Sequence, residues 1–429
     1  MKKLLSLYVL LVFASPLMAQ DLGIFEEVTA GNFFGYGAKQ MAMGGAGIAN
    51  TIDGPALYYN PAALARIPRI EIQLGLTHQK FSNETSMKSG RYDPAAFRST
   101  LNKASADMTK TRFGSVNLTI PVPTYRGSMV AAFGVNRVMS FDRTALFHVR
   151  DVRIADNALI EDKAEEYEDG GIYLYSAGIG IDLTPRLSAG ASLNVYSGED
   201  KFTYDYAWVD ETLGESGGFV NRFEDSYIGM TLKGGLLVRP NKDFTFGLVV
   251  ESPLEWQVEQ TYIYEDGTRD VVEYDLSRPF IFGSGISYRM NRFRLTGEIE
   301  YIDWSQLSYN DNPGMEIESD SLNFYYRDVV NLRGGVEYQL PQRGLSFRAG
   351  LFSLPLAYEN DFIKSDRKGF TLGFGWLLDR VLLLEAAYVR GNFERNYTAP
   401  NAEYTLMDNN NAIAKDNFQR LYFTLSYRN

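Results

Sequence analysis

The chain has 429 residues and a formal charge of −11, with 45% hydrophobic residues, 14% aromatic residues, 39 glycines and no cysteine. A helical membrane protein needs about 20 consecutive apolar residues per span, which this sequence offers nowhere beyond its N-terminus; the lack of cysteine excludes disulfides, and the acidity argues against nucleic acid as a partner. Having 28 tyrosines and 27 phenylalanines but two histidines favours walls and surfaces over acid–base or metal chemistry, so no catalytic residue, metal site or cofactor is expected.

Residues 1–19 have Lys2 and Lys3, an apolar run from Leu4 to Ala14 and a small residue at Ala19. This is the pattern of a secretory signal peptide cleaved after Ala19. Its removal takes away the two lysines and moves the formal charge from −11 to −13.

Residues 20–67 do not alternate. Eight of the 32 residues from Gly23 to Gly54 are glycine, too many for a long helix, yet Phe25, Phe33, Phe34, Tyr36, Met41, Met43 and Ile48 need cover. The segment is therefore expected to be a plug inside a larger cavity. GGAGIAN, residues 44–50, is not a phosphate loop, because no strand precedes it and no Lys-Ser or Lys-Thr follows. In YYNPAALARI, residues 58–67, Asn60 can cap a short helix, Pro61 suits its first position, and Ala62 to Ala65 propagate it.

From residue 68 onward, segments of about ten residues alternate apolar with polar or small, each ending in a turn. Ile70, Ile72, Leu74 and Leu76 oppose Glu71, Gln73, Gly75 and Thr77; Phe293, Leu295, Ile299 and Tyr301 oppose Arg294, Thr296, Glu298 and Glu300; Leu421, Phe423, Leu425 and Tyr427 close the series. Fourteen strands are expected, centred near 73, 117, 133, 177, 191, 233, 248, 283, 297, 333, 348, 373, 385 and 423. Long links alternate with short turns such as LTPR, RMNR and LLDR. This rhythm belongs to an all-β transmembrane protein, a 14-stranded antiparallel outer-membrane β-barrel, here over residues 68–429. Closure leaves no backbone group unpaired in lipid.

Several side chains carry the functional expectations. Phe202, Tyr206, Trp208 and Phe219 in the third long link, with Leu254, Trp256 and Ile263 in the fourth, are candidates to capture an apolar ligand. Tyr301, Trp304, Tyr388, Trp376 and Phe141 are expected in interfacial girdles. Residues 151–169 hold eight acidic side chains, read as a solvated face. Inward charges, among them Glu71, Lys233, Arg294, Glu298, Arg333, Glu337, Arg348 and Arg420, should pair across the lumen. His78 and His148 have no nucleophile motif beside them, so an enzyme is not expected. In the third strand, Met129, Ala131, Phe133 and Val135 set an outward phase that Arg137, then adjacent Val138 and Met139, abandon; Gly134 would permit a bend there.

AMGGAGIANTIDGPALYYNPAALARI, residues 42–67, resembles the hatch signature of the FadL/TodX (OmpP1) family of outer-membrane transporters, with Asn60-Pro61-Ala62 as its hallmark. YIDWSQL at 301–307 and the stretches RGGVEYQ, FRAGLFSLPLAYEN and SDRKGFTLGFGW between 333 and 376 resemble its later segments. The resemblance implies a barrel closed by an N-terminal hatch over residues 20–67, in the outer membrane of a Gram-negative bacterium. It further implies passive, ligand-gated uptake of long-chain fatty acids or similar hydrophobic molecules. The ligand would leave sideways through a gap at Gly134, Val135, Asn136, Arg137 and Val138. Outer-membrane lipid and the barrel-assembly machinery are the other expected partners. The alternative is a structural or shuttle barrel of a type IX protein secretion system, which related fourteen-stranded barrels serve. The chain departs from the family in ending Tyr427-Arg428-Asn429, its last aromatic two residues in, and in the strand-like alternation of Phe202, Tyr204, Tyr206 and Trp208.

Overall fold

The computed structural model describes residues 34–87, 95–310, 326–357, 363–396 and 412–429. The expected signal peptide and residues 20–33 of the expected hatch lie outside them. The alternating segments become strands β1 (Glu71–Met87), β2 (Phe97–Leu101), β3 (Lys103–Val122), β4 (Met129–Ser140), β5 (Arg143–Arg153), β6 (Leu159–Thr184) and β7 (Leu187–Asp210). They continue as β8 (Glu215–Val238), β9 (Phe244–Glu251), β10 (Leu254–Ile263), β11 (Arg269–Arg278), β12 (Ile281–Met290) and β13 (Phe293–Asp303). The series ends with β14 (Ser308–Asn310), β15 (Asp328–Leu340), β16 (Leu345–Leu354), β17 (Ile363–Leu378), β18 (Leu382–Asn396) and β19 (Ala412–Arg428).

Among the described residues, fourteen of these strands form a closed antiparallel ring. β1 pairs with β3, then the ladder runs β4, β6, β7, β8, β9, β12, β13, β15, β16, β17, β18 and β19, and β19 pairs back onto β1 from Glu71↔Arg428 to Met87↔Ala412. Each expected strand centre falls in one of these fourteen. The other five strands are additions: β2 pairs with β5, β5 with β6, β10 with β8 and β11, and β14 with β11.

The two-residue period turns the sheet inside out relative to a soluble barrel. Leu74, Leu76, Met230, Leu232, Ile299 and Phe423 are exposed on the outer face, while Glu71, Gln73, Thr231, Glu298 and Thr424 are buried within. An outward apolar band is what hydrocarbon requires. At one end the turns are tight. Asp379 and Arg380 both take positive φ, 47° and 63°, and Val381 N–H donates to Leu378 O, as in the hairpin turn whose twist matches its strands.

The opposite end corrects the sequence reading of long loops. β6, β7 and β8 run far past the apolar band as regular strands, pairing from Leu187↔Val238 out to Asp210↔Glu215, and β10 and β11 form a hairpin beside them. Residues 151–169, read as a solvated acidic face, largely lie in β5 and β6.

Candidate functional site

The described part of the N-terminal segment, residues 34–67, lies inside the ring. It has two single-turn helices, α1 (Ala38–Met41) and α2 (Ala56–Tyr59), and a 3-10 helix over Pro61–Arg66. Asn60 is fully buried. Its Oδ1 accepts from Ala62 N–H at 3.0 Å, as expected of a cap, while its Nδ2 donates to Ile48 O at 3.0 Å and to Leu236 O of the wall at 3.1 Å. Pro61 and Ala62 sit against β7, where glycine makes room: a Cβ at Gly190 would lie 2.3 Å from Pro61 C.

The wall holds this segment through its own backbone groups. Glu298 accepts from Gly47 N–H at 2.7 Å and from Ile48 N–H at 2.9 Å; Thr371 Oγ1 accepts from Gly44 N–H and donates to Ala42 O; Lys233 donates to Tyr58 O. The inward charges pair, but laterally between neighbouring strands and not across the lumen: Lys233 with Glu251, Arg294 and Arg348 with Glu337, Arg333 with Glu298, Arg428 with Glu71. The segment occupies the space a cross-lumen pair would need. Arg420 is different. Its guanidinium stacks 3.2 Å from the Phe34 ring centroid, and among the described residues it makes no ion pair and its Nε has no hydrogen-bond partner.

Above this segment the interior is apolar and aromatic. Phe141, Tyr196, Tyr227, Leu254, Trp256 and Leu276 are buried together, with Tyr196 and Tyr227 edge-on to Trp256 at 5.5 and 6.0 Å between ring centroids. Trp304 and Phe141, expected in an interfacial girdle, face inward and are buried, whereas Tyr301 and Trp376 lie on the outer face. Chain position near a strand end does not fix which side of a closed wall a ring takes.

β4 borders this interior. It pairs with β3 from Met129↔Val122 only as far as Asn136↔Ser115. Against β6 the register slips between Arg137 and Met139, a bulge at Val138. β3 carries on without β4, so past Asn136 one edge of β4 has no wall partner. Phe34 N–H, from the inner segment, donates to Val138 O at 3.0 Å. Val138, Met139 and Phe141 are buried inside. Side chains bridge the break: Arg112 reaches Asp142 and Asp169, both at 2.5 Å, Arg137 reaches Asp142 at 3.0 Å, and Lys110 bonds Asp169. Burial pushes the Asp142 carboxyl up, but Arg112 and Arg137 outweigh it and hold the pKa below its ordinary value.

The expected gap residues are thus placed differently from the sequence reading. Gly134, Val135 and Asn136 are paired on both sides, so Gly134 is not the bend. A Cβ there would lie 2.3 Å from Asn117 Oδ1, and the glycine serves close packing instead. The break begins at Arg137 and Val138, where β3 is no longer opposite.

The expected capture residues lie on strands, not loops. Phe202, Tyr206 and Trp208 share the inner face of β7 beyond the band; Tyr206 is buried with Phe147 and Val149, and Trp208 and Phe219 pack against that cluster. Phe219 is 5.4 Å from Tyr206 and Phe202 stacks on Phe223 at 5.6 Å, centroid to centroid. Leu254 and Trp256 are fully buried deeper down. Ile263, at the end of β10, is out of phase with them. His78 bonds Thr111 and His148 pairs with Glu161.

No protein-family model and no curated relative matches this sequence. Solved structures do. A Pseudomonas aeruginosa FadL homologue superposes with a TM-score of 0.64 at 14% identity, covering 91% of this chain and 98% of that one. The P. putida toluene transporter TodX superposes with a TM-score of 0.57 at 14% identity over 93% and 99% of the two chains. The CymD monoaromatic hydrocarbon channel gives 0.52 at 15% identity over 93% and 99%. The chain has the fold of the FadL/TodX barrels, as residues 42–67 led us to expect.

Proposed function

We propose that this protein is a channel in the outer membrane of a Gram-negative bacterium for passive uptake of hydrophobic molecules, long-chain fatty acids or similar. The observation that carries this reading is an apolar, aromatic interior that adjoins a break in the wall between β3 and β4. A ligand leaving water gains about 0.8 kcal/mol per buried methylene, so a continuous apolar lining can take over its hydration stepwise. The aromatic cluster around Tyr206, Trp208 and Phe219 receives it at the mouth, and Trp256 and Leu254 line the next stage. The buried guanidinium of Arg420, whose Nε has no hydrogen-bond partner, suits an anionic head group. Residues 34–67 act as the hatch. Gating follows from one contact: Phe34 occupies the free edge of β4 at Val138, so a ligand that displaces Phe34 uncovers the exit. The ligand then leaves sideways into lipid beside Phe113 and Tyr175, both exposed on the outer face. The likeness in fold to the toluene transporter TodX and to the CymD monoaromatic hydrocarbon channel supports the reading.

Uptake of radiolabelled oleate by cells making the protein as their sole channel of this kind tests it. Wild type should exceed a variant lacking Val138, in which the bulge is removed. Equal uptake by both overturns the lateral route, and no uptake above barrel-free cells overturns the transport reading.

A further inference from the structure

The six short turns at one end of the ring each carry an exposed cation: Arg126 between β3 and β4, Arg186 between β6 and β7, Lys242 between β8 and β9, Arg292 between β12 and β13, Arg343 between β15 and β16, and Arg380 between β17 and β18. Arg289, near the end of β12, is exposed beside Arg292 and adds a seventh. The acidic side chains of these turns are Asp243 and Asp379; Asp182, near the end of β6, is already paired with Arg239 at 3.0 Å. Among the described residues, none of the seven cations makes an ion pair. Yet the chain carries a formal charge of −11, and exposed acids such as Asp205, Glu211, Glu215, Glu265 and Asp266 project from the opposite end.

Three observations set these cations apart from ordinary turn residues. Arg380 holds φ at 63°, a conformation that glycine or asparagine adopts at less cost. Six of the seven are arginine, whose planar guanidinium meets two oxygens of one phosphate at once, which lysine does not do. Their level along the barrel is also specific. Phe293, Phe347, Trp376 and Tyr427 are exposed on the outer face close to the same strand ends, and the turn cations lie just past them. Apolar band, aromatic rings and then cations is the order in which hydrocarbon, interface and head groups follow one another across a leaflet, and long basic side chains lay their stems along the apolar part while the charge reaches the polar one. Like charges spread around a ring repel, so the counter-charge that the turns do not supply must come from outside the chain.

We propose that this ring binds the phosphate head groups of anionic phospholipid in the periplasmic leaflet. The inference rests on the outer-membrane reading, in which the short turns face the periplasm. The distribution of the cations names the partner. They stand at every turn around the circumference, as a leaflet surrounds a barrel, whereas a docked protein would meet one sector. Each cation close to an anionic surface favours it about fivefold, so several together select anionic over zwitterionic neighbours. The attraction is between exposed charges and is therefore screened by salt.

The test places the protein in nanodiscs of equal parts phosphatidylglycerol and phosphatidylcholine, and native mass spectrometry counts the lipids of each kind that stay bound on release. Wild type should retain phosphatidylglycerol over phosphatidylcholine by about tenfold. In Arg126→Gln/Arg186→Gln/Lys242→Gln/Arg292→Gln/Arg343→Gln/Arg380→Gln the ratio should fall to about twofold or less, the folded state being checked by the fast-migrating band of unheated barrel on SDS gels. Lys163→Gln/Lys201→Gln/Arg222→Gln/Arg269→Gln, which removes exposed cations from the opposite end, should keep the wild-type ratio. If the sixfold variant does not fold, wild type in on the order of 0.5 M sodium chloride carries the comparison, and its ratio should fall likewise. Equal retention of both lipids by wild type overturns the proposal and leaves the ring to an acidic protein. An unchanged ratio in the sixfold variant or in salt, or an equal loss in the opposite-end variant, overturns it as well. Failure of wild type to enter nanodiscs as a folded barrel tells instead against the outer-membrane reading.

Discussion

Asn60, fully buried, satisfies three backbone groups, one N–H on its own helix and two carbonyls, of Ile48 and Leu236. A cap alone is worth about 1 kcal/mol, and each carbonyl left unpaired in the interior adds roughly 1 kcal/mol or more. Asn60→Ala should therefore loosen residues 34–67 by about 2–4 kcal/mol in total while the ring stays closed. Limited proteolysis reads this: cleavage within 34–67 should quicken, with the heat-modifiable barrel band unchanged. Asp225 of β8, buried on the inner face beyond the apolar band, supports a second prediction at this scale. With a folded pKa of about 7 against roughly 3.9 unfolded, the folded chain keeps a proton that the unfolded chain has lost between those values. Stability from this group is therefore fully present below about pH 4 and declines as pH rises towards 7, by on the order of a few kcal/mol. Asp225→Asn should flatten that decline. Unfolding temperatures of the barrel band from pH 4 to 8, wild type against variant, measure the difference.

Among the elements, β4 matters for what it does not pair with. Its ladder to β3 stops at Asn136, and Asp142 then gathers Arg112, Arg137 and Ser140. These side chains fasten the inward turn. Asp142→Leu would leave Arg112 with Asp169 alone and the buried Arg137 guanidinium without a carboxylate, at a cost of about 3 kcal/mol. The expected outcome is a β4 edge that exchanges faster by hydrogen–deuterium exchange from Arg137 to Ser140, with β12, β13 and β15 unaffected. Equal protection in wild type and variant would show that the bulge at Val138, not the ion pairs, sets the turn.

For the molecule as a whole, strand closure and plugging are separate. Each wall strand bonds only to its neighbours, so deleting residues 20–56 should leave a folded barrel. Glu298, Thr371 and Lys233 would lose partners and face water in a lumen no longer filled. Planar-bilayer conductance of the truncated protein should rise well above wild type. Unchanged conductance would mean that residues 34–56 do not obstruct the lumen.

The period of two determined much of this protein from sequence alone. Hydrocarbon outside and a closed ring demand it strand by strand, so the alternation from Ile70 to Tyr427 gave the number, the order and the outward face of the fourteen strands. The Asn60 cap was legible for a similar reason, since its geometry is local. What the sequence left undecided depends on neighbours distant in the chain. The strand character of residues 199–226 came from β6, β7 and β8 pairing beyond the membrane, and the same polar alternation reads as loop until a partner is known. The break in β4 was visible as a lost phase but was placed three or four residues early, because pairing with β3, and not the glycine, decides where it begins. Lateral charge pairs and the inward Trp304 and Phe141 belong to tertiary structure for one reason. In a closed barrel the partner of a side chain is set by register between strands, and no local pattern specifies register.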